Sequence, residues 1–153
     1  MPAKKLKEFL DSKNIEYVSI YHAAASTSQR IAATSHIPGK ELAKTVMIKV
    51  DGKMAMAVLP ASHNINFESF KKFANAEKVE LAGELAFVNL FTDCEVGAMP
   101  PFGNLYGMDV YVAEILSEDE EIAFNAGTHT ELIRMDYQDF KNIVNPKVGN
   151  FTR

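Results

Sequence analysis

The sequence predicts a mixed α/β domain in which strands fill the middle and helices surround them. Three observations carry this. "TVMIKV-DG-KMAMAVL" is a pair of alternating runs joined by Asp51-Gly52, the favoured chemistry of a two-residue hairpin turn. Near both ends, apolar residues recur at helical spacing, in "AKKLKEFLDSK" and "DYQDFKNIV". The second half holds three short apolar runs, "DVYVAEIL", "IAFNAG" and "TELIRM", that read as strands. At 153 residues the chain is long enough to bury a sizeable core. Residues 1–153 therefore read as one domain.

The elements follow in order. Residues 3–13 place Leu6, Phe9 and Leu10 on one helical face, with lysines opposite. "EYVSIYH" is a strand. Residues 26–34, "STSQRIAAT", open on capping hydroxyls and predict a short helix that stops before Pro38-Gly39. Lys44 stands just before the first hairpin strand. "NFESFKKFANA" predicts a helix, "KVELA" a short strand and "GELAFVNLF" another helix. After the strand "DVYVAEIL" comes the acidic run "SEDEE", an exposed turn. A bend at Gly127 separates the last two strands. Asp136 is the expected N-cap of the final helix, whose Phe140, Ile143 and Val144 face inward.

Composition removes several function classes. A hydrophobic share of 47% and a charged share of 24% are those of an ordinary globular protein. No stretch approaches the roughly 18 apolar residues of a membrane span. The basic N-terminus lacks the apolar segment of a secretory signal, so a cytoplasmic location and no membrane partner are expected. Cys94 is the only cysteine, which excludes an intramolecular disulfide. His22, His36 and His63 have no metal-building spacing with His129, and neither a metal nor any other cofactor is expected. A net charge of −4 argues against coating nucleic acid by bulk electrostatics. Local grip is still open to three lysine groups: Lys4, Lys5 and Lys7; Lys71, Lys72 and Lys78; and Lys40, Lys44, Lys49 and Lys53.

The candidate chemistry starts from "EVGAMPPFGNLYG", residues 95–107, where tandem prolines sit among glycines and bulky apolar residues. Pro100 and Pro101 remove two donors and fix two φ angles. Gly97, Ala98 and Met99 keep their amides, which suits an oxyanion developing on an attacked carbonyl. On composition alone, a rigid structural turn explains the loop as well or better. Lys44 could engage a phosphate or a substrate carbonyl as a compact charge; a solvated lysine is the plainer reading. His129 could exchange hydrogen bonds near neutral pH, or be a surface turn residue. A Cys94 nucleophile with His129 as base is weaker still, since no nucleophile signature surrounds it.

The order of these signals resembles the YbaK/prolyl-tRNA synthetase-associated editing-domain family: Lys44 before "TVMIKVDGKMAMAVLP", the "GAMPPFG" loop, then "EIAFNAG" and a final helix. The resemblance runs over essentially the whole chain. It implies a curved mixed β-sheet surrounded by helices. It also implies a trans-acting aminoacyl-tRNA deacylase, which hydrolyses the ester joining a wrong amino acid to tRNA. Lys44, Gly97, Ala98, Met99, Pro101 and His129 are then the expected catalytic set. Thr45, Pro100, Phe102 and Gly127 are expected to line a small pocket for alanine, serine, threonine or cysteine. The implied partner is the acceptor end of aminoacyl-tRNA, with an aminoacyl-tRNA synthetase as a further candidate, and the chain is expected to be a monomer. Two alternatives stay open: a non-catalytic module that binds aminoacyl-tRNA or a synthetase, and a hydrolase of small esters unrelated to tRNA.

Overall fold

A computed structural model of the chain describes residues 4–21, 42–83, 85, 90, 94–95 and 98–152. The predicted helices over 26–34 and in "GELAFVNLF" fall on residues outside that set, apart from isolated positions in the second. The described elements are α1 (Lys4–Ser12), β1 (Tyr17–Tyr21), β2 (Leu42–Val50), β3 (Lys53–Pro60), α2 (Phe67–Ala74), β4 (Val79–Leu81), β5 (Asp109–Ala113), β6 (Glu121–Asn125), β7 (Glu131–Asp136), α3 (Tyr137–Val144) and β8 (Lys147–Gly149).

Local chemistry sets most boundaries. Asp51 (φ 50°) and Gly52 (φ 83°) both adopt positive φ, as the tight turn between β2 and β3 demands. The Asp51 carboxylate also accepts from the amides of Glu77 (2.9 Å) and Lys78 (2.8 Å), tying the turn to the approach of β4. Asn66 caps α2 by accepting from the Ser69 amide at 3.2 Å, and Asn75 ends it in the left-handed region. Asp136 caps α3 through the Gln138 amide at 2.8 Å, as its sequence position predicts.

Eight strands form one mixed sheet in the order β1-β7-β6-β2-β3-β5-β8, with β4 also on β2. The mixed α/β class predicted from sequence is thus observed. Alternation along β2 sends Ala43 and Met47 to one face and Leu42, Ile48 and their even-numbered neighbours to the other. On the first face, Leu6 and Leu10 of α1 and Tyr137, Phe140 and Val144 of α3 close a large core with Met56, Val58 and Phe124. On the second face the buried apolar residues form two separate clusters. One gathers Ile48, Leu59, Tyr111 and Phe151 around Phe70 of α2, and the other joins Leu42, Ala61, Ala123 and Leu132.

Two sequence expectations are corrected, and one strand is new. Strand β2 begins at Leu42, so Lys44 is the third residue of a strand and not the end of a loop. Strand β5 stops at Ala113, and Glu114–Glu118 is a 3-10 helix that buries Leu116. Strand β8 was not predicted; at three residues it is too short for periodicity to reveal. It pairs parallel to β5, and Gly149 lies against the Phe73 ring where any Cβ would overlap it.

One feature of the topology positions the site. β3 pairs with β2 along Ala43–Val50, occupying one whole edge. The opposite edge is divided: β6 pairs with Leu42 and Ala43 only, and β4 with Ile48, Lys49 and Val50. The Ala82 amide extends the β4 side by donating to the Met47 carbonyl at 3.0 Å. Between these partners, Lys44, Thr45 and Val46 face no described strand. Ligands favour the places where neighbouring strands part in α/β sheets.

Candidate active site

The Gly/Pro loop owes its stiffness to burial as well as to proline. Ala98 and Phe102 are fully buried, Met99 is 5% exposed, and both prolines are buried. The Phe102 ring sits among Phe9 of α1 (6.3 Å between centroids), Phe124 of β6 (5.4 Å) and Phe140 of α3 (5.5 Å). Behind it, Gly103 must be glycine: an added Cβ would lie 2.8 Å from the Met108 carbonyl oxygen and 2.7 Å from Val110 Cγ2. The loop is therefore driven into the first face of the sheet by an aromatic anchor.

Hydrogen bonds then lace the loop to the end of β6. The Glu95 amide donates to the Gly127 carbonyl at 2.7 Å, and the Gly127 amide to the Ala98 carbonyl at 2.9 Å. Gly127 takes φ +95°, a conformation glycine adopts without strain. The Glu95 carboxylate accepts from the His129 amide at 2.8 Å. Glu95, Ala98, Gly127 and His129, distant in sequence, are thus one assembly. Sequence reasoning passed over Glu95. Its only signal was an acidic residue at the mouth of the loop, and its partner stands 34 positions away.

This geometry revises several expected roles. The Ala98 amide donates to the Glu95 carbonyl at 3.0 Å and so is taken up within the loop. Phe102 has no surface to offer a substrate; it is an anchor. Pro100 and Pro101 likewise act by stiffening buried backbone. The Met99 amide has no acceptor among the described residues, while Gly97 lies outside them. Cys94 is half-buried against the first-face core.

Lys44 is placed differently from the loop. Alternation puts its side chain on the second face, whereas Met99 and Phe102 enter the first. It opens into a cleft of about 240 Å³ lined by Val46, Asn64, Ile65, Phe67 and Leu81. Burial among these groups pushes the Lys44 ammonium below the ordinary lysine pKa. Thr45 is half-buried on the face of Ala43 and Met47. Its backbone points to the divided edge, as that of Met47 does two residues on. Lys44 and the laced loop thus belong to opposite faces of the sheet.

The first lysine group is largely structural. Lys7 Nζ lies 2.6 Å from Glu131 Oε2, and Lys5 Nζ donates to the Leu105 carbonyl at 2.9 Å. Among the described residues, no group of three or more His, Cys, Asp or Glu side chains is placed to hold a metal. No described helix is long and apolar enough to cross a membrane.

Residues 22–143 match the family model of the aminoacyl-tRNA editing domain. The chain belongs to that family. A multifunctional Ser/Thr-tRNA deacylase, ProXp-y of Escherichia coli (strain K12), is 27% identical over 98% of this chain and 92% of its own length. A proline–tRNA ligase of Staphylococcus haemolyticus is 24% identical over 94% of this chain, which spans 26% of that enzyme. The crystal structure of the hypothetical protein APE2540 superposes with a TM-score of 0.87 at 20% identity, covering 98% of this chain and all of that one. The editing domain thus occurs both inside a synthetase and as a separate chain of this size.

Proposed function

We propose that this editing-domain chain is a trans-acting deacylase, hydrolysing the ester between a small amino acid and the terminal adenosine of mischarged tRNA at Lys44. The observation that carries this is the setting of Lys44. Its side chain is half-buried and opens into a cleft of about 240 Å³ beside the divided edge of β2. A perturbed ionisable group in a cleft is a functional-site marker. A lysine held there gains nothing for the fold, because burial works against its charge.

The chemistry asks for positioning more than for a covalent nucleophile, since an aminoacyl ester is already labile. Water adds to the carbonyl carbon, the bond to the ribose oxygen breaks, and that oxygen leaves with a proton. The products are the amino acid and uncharged tRNA. Lys44 holds the terminal phosphate or the polarised carbonyl, and the Met99 amide is the loop donor available to the oxyanion. The neighbouring ribose hydroxyl of the substrate assists the water. His129, whose amide donates to Glu95, stands at the Gly127 turn as a further candidate. The acceptor end needs only a few phosphate contacts, so a net negative protein is no obstacle. Lys71, one helical turn beyond the cleft residue Phe67, is a candidate to supply one.

The relative's activity on Ser- and Thr-tRNA selects serine and threonine as the first substrates to try, with alanine and cysteine beside them. The test is hydrolysis of Ala-, Ser-, Thr- and Cys-tRNA by the intact chain. At least one should be cleaved well above the buffer rate, and Lys44→Ala should lower kcat/KM by about 100-fold or more. If none is cleaved, the deacylase reading fails, and tight acceptor-end binding without turnover would leave a binding module in its place.

A further inference from the structure

A second polar group stands beside Lys44. The last β2–β6 pair is Ala43 with Phe124, so the next residues, Lys44 and Asn125, are level across the two strands. Phe124 joins the first-face core, which turns Asn125 to the second face, the face of Lys44. Asn125 is 8% exposed, and among the described residues its Oδ1 has no hydrogen-bond partner. Its lateral neighbour on β7 is Leu132, with Leu42 and Ala123 beneath, all apolar. A buried acceptor left unpaired loses its hydration without compensation, so native folds rarely keep one without a use.

The position indicates the use. Asn125 ends β6 at the point where β2 loses its neighbour, two residues before the Gly127 turn that carries the loop. An acceptor here calls for a donor from outside the described residues. An ammonium is disfavoured, because Lys44 already places a positive charge alongside. A neutral hydroxyl meets no such repulsion.

We propose that Asn125 is a substrate-binding residue of the editing site, its Oδ1 accepting a hydrogen bond from a hydroxyl of the bound aminoacyl-adenosine. This rests on the deacylase reading above. Two hydroxyls have the required chemistry: that of a serine or threonine side chain, and that of the terminal ribose. They are distinguished by the substrate. Seryl-tRNA has both, and alanyl-tRNA only the ribose.

The experiment compares wild type, Asn125→Leu and Asn125→Asp on Ser-tRNA and Ala-tRNA, with thermal unfolding alongside. Leucine removes the acceptor at similar volume and should leave the unfolding midpoint equal or higher. Aspartate keeps an acceptor oxygen and guards against a misfolded leucine variant. If the side-chain hydroxyl is read, Asn125→Leu lowers kcat/KM on Ser-tRNA by about 10-fold and on Ala-tRNA by less than about 2-fold, and Asn125→Asp retains the serine preference. If the ribose is read, both substrates lose about 10-fold in Asn125→Leu at an unchanged midpoint, and both are rescued by Asn125→Asp. Unchanged kinetics in both variants would overturn the proposal, as would equal losses that track a lowered midpoint. A wild type inactive on both substrates and on the rest of the panel would instead count against the deacylase reading itself.

Discussion

The two faces of the sheet are closed unequally. On the first, α1, α3 and the Gly/Pro loop build one continuous core, with the Phe102 ring against Phe9, Phe124 and Phe140. On the second, among the described residues, the core is broken into two clusters, and Lys44 and Asn125 stand between them. Continuous aromatic packing serves rigidity. The break leaves polar groups where a fold maximising its own stability would place leucines. Under the proposed deacylase reading, stability and chemistry fall on opposite faces, joined where β6 and β4 diverge along β2.

Substitutions on the two faces should therefore behave oppositely. The largest effect is expected from Phe102→Ala, which empties the centre of the first-face core. It should cost about 3–5 kcal/mol in denaturant unfolding and reduce activity only through loss of folded protein or of loop order. Lys7→Ala comes next, leaving Glu131 buried beside an empty position, at about 2 kcal/mol given the partial exposure of the lysine. The pairing with Glu131 raises the Lys7 pKa. Its contribution is therefore intact below the unfolded lysine value of about 10.4 and lost as pH rises through the folded value. A stability profile of wild type against Lys7→Ala should run parallel through neutral pH and converge only in strong alkali.

Glu95→Gln probes the join between loop and turn. It keeps a side-chain oxygen for the His129 amide but removes its charge, which should cost under about 1 kcal/mol of stability. Turnover should fall several-fold more than unfolding can explain. The smallest effect on stability is expected at the second-face break. Lys44→Met should leave the fold unchanged or slightly firmer, within about 0.5 kcal/mol. The Lys44 pKa is lowered, so the wild type carries a charge penalty at neutral pH that is relieved as pH rises through the lowered value. Any advantage of the methionine variant should shrink in alkali.

The sequence made the two-sided architecture legible where periodicity was long. The Asp51-Gly52 hairpin, the α1 stripe of Leu6 and Leu10 and the Asp136 cap all stand where local chemistry puts them. What it hid were relations between distant segments. The end of "DVYVAEIL" as a 3-10 turn and the short β8 depend on what packs around them. For the candidate site, the sequence offers Lys44, Gly127 and the loop as residue types in order, and their roles rest on the proposal. The Ala98 amide and the Phe102 ring were misassigned, because their partners, the Glu95 carbonyl and the rings of three separate elements, exist only after folding. Glu95 and Asn125 were missed for the same reason. Nothing in the spacing of either residue marks it.

The central claim is that the break at Lys44 is where the reaction happens. It is tested most directly by measuring hydrolysis of Ser-tRNA and the unfolding midpoint on the same preparations of wild type and Lys44→Met. The expected result is a loss of turnover of about 100-fold or more with a midpoint equal to or above wild type. A variant that still hydrolyses the substrate at the wild-type rate, or that loses turnover only in step with a falling midpoint, would contradict it.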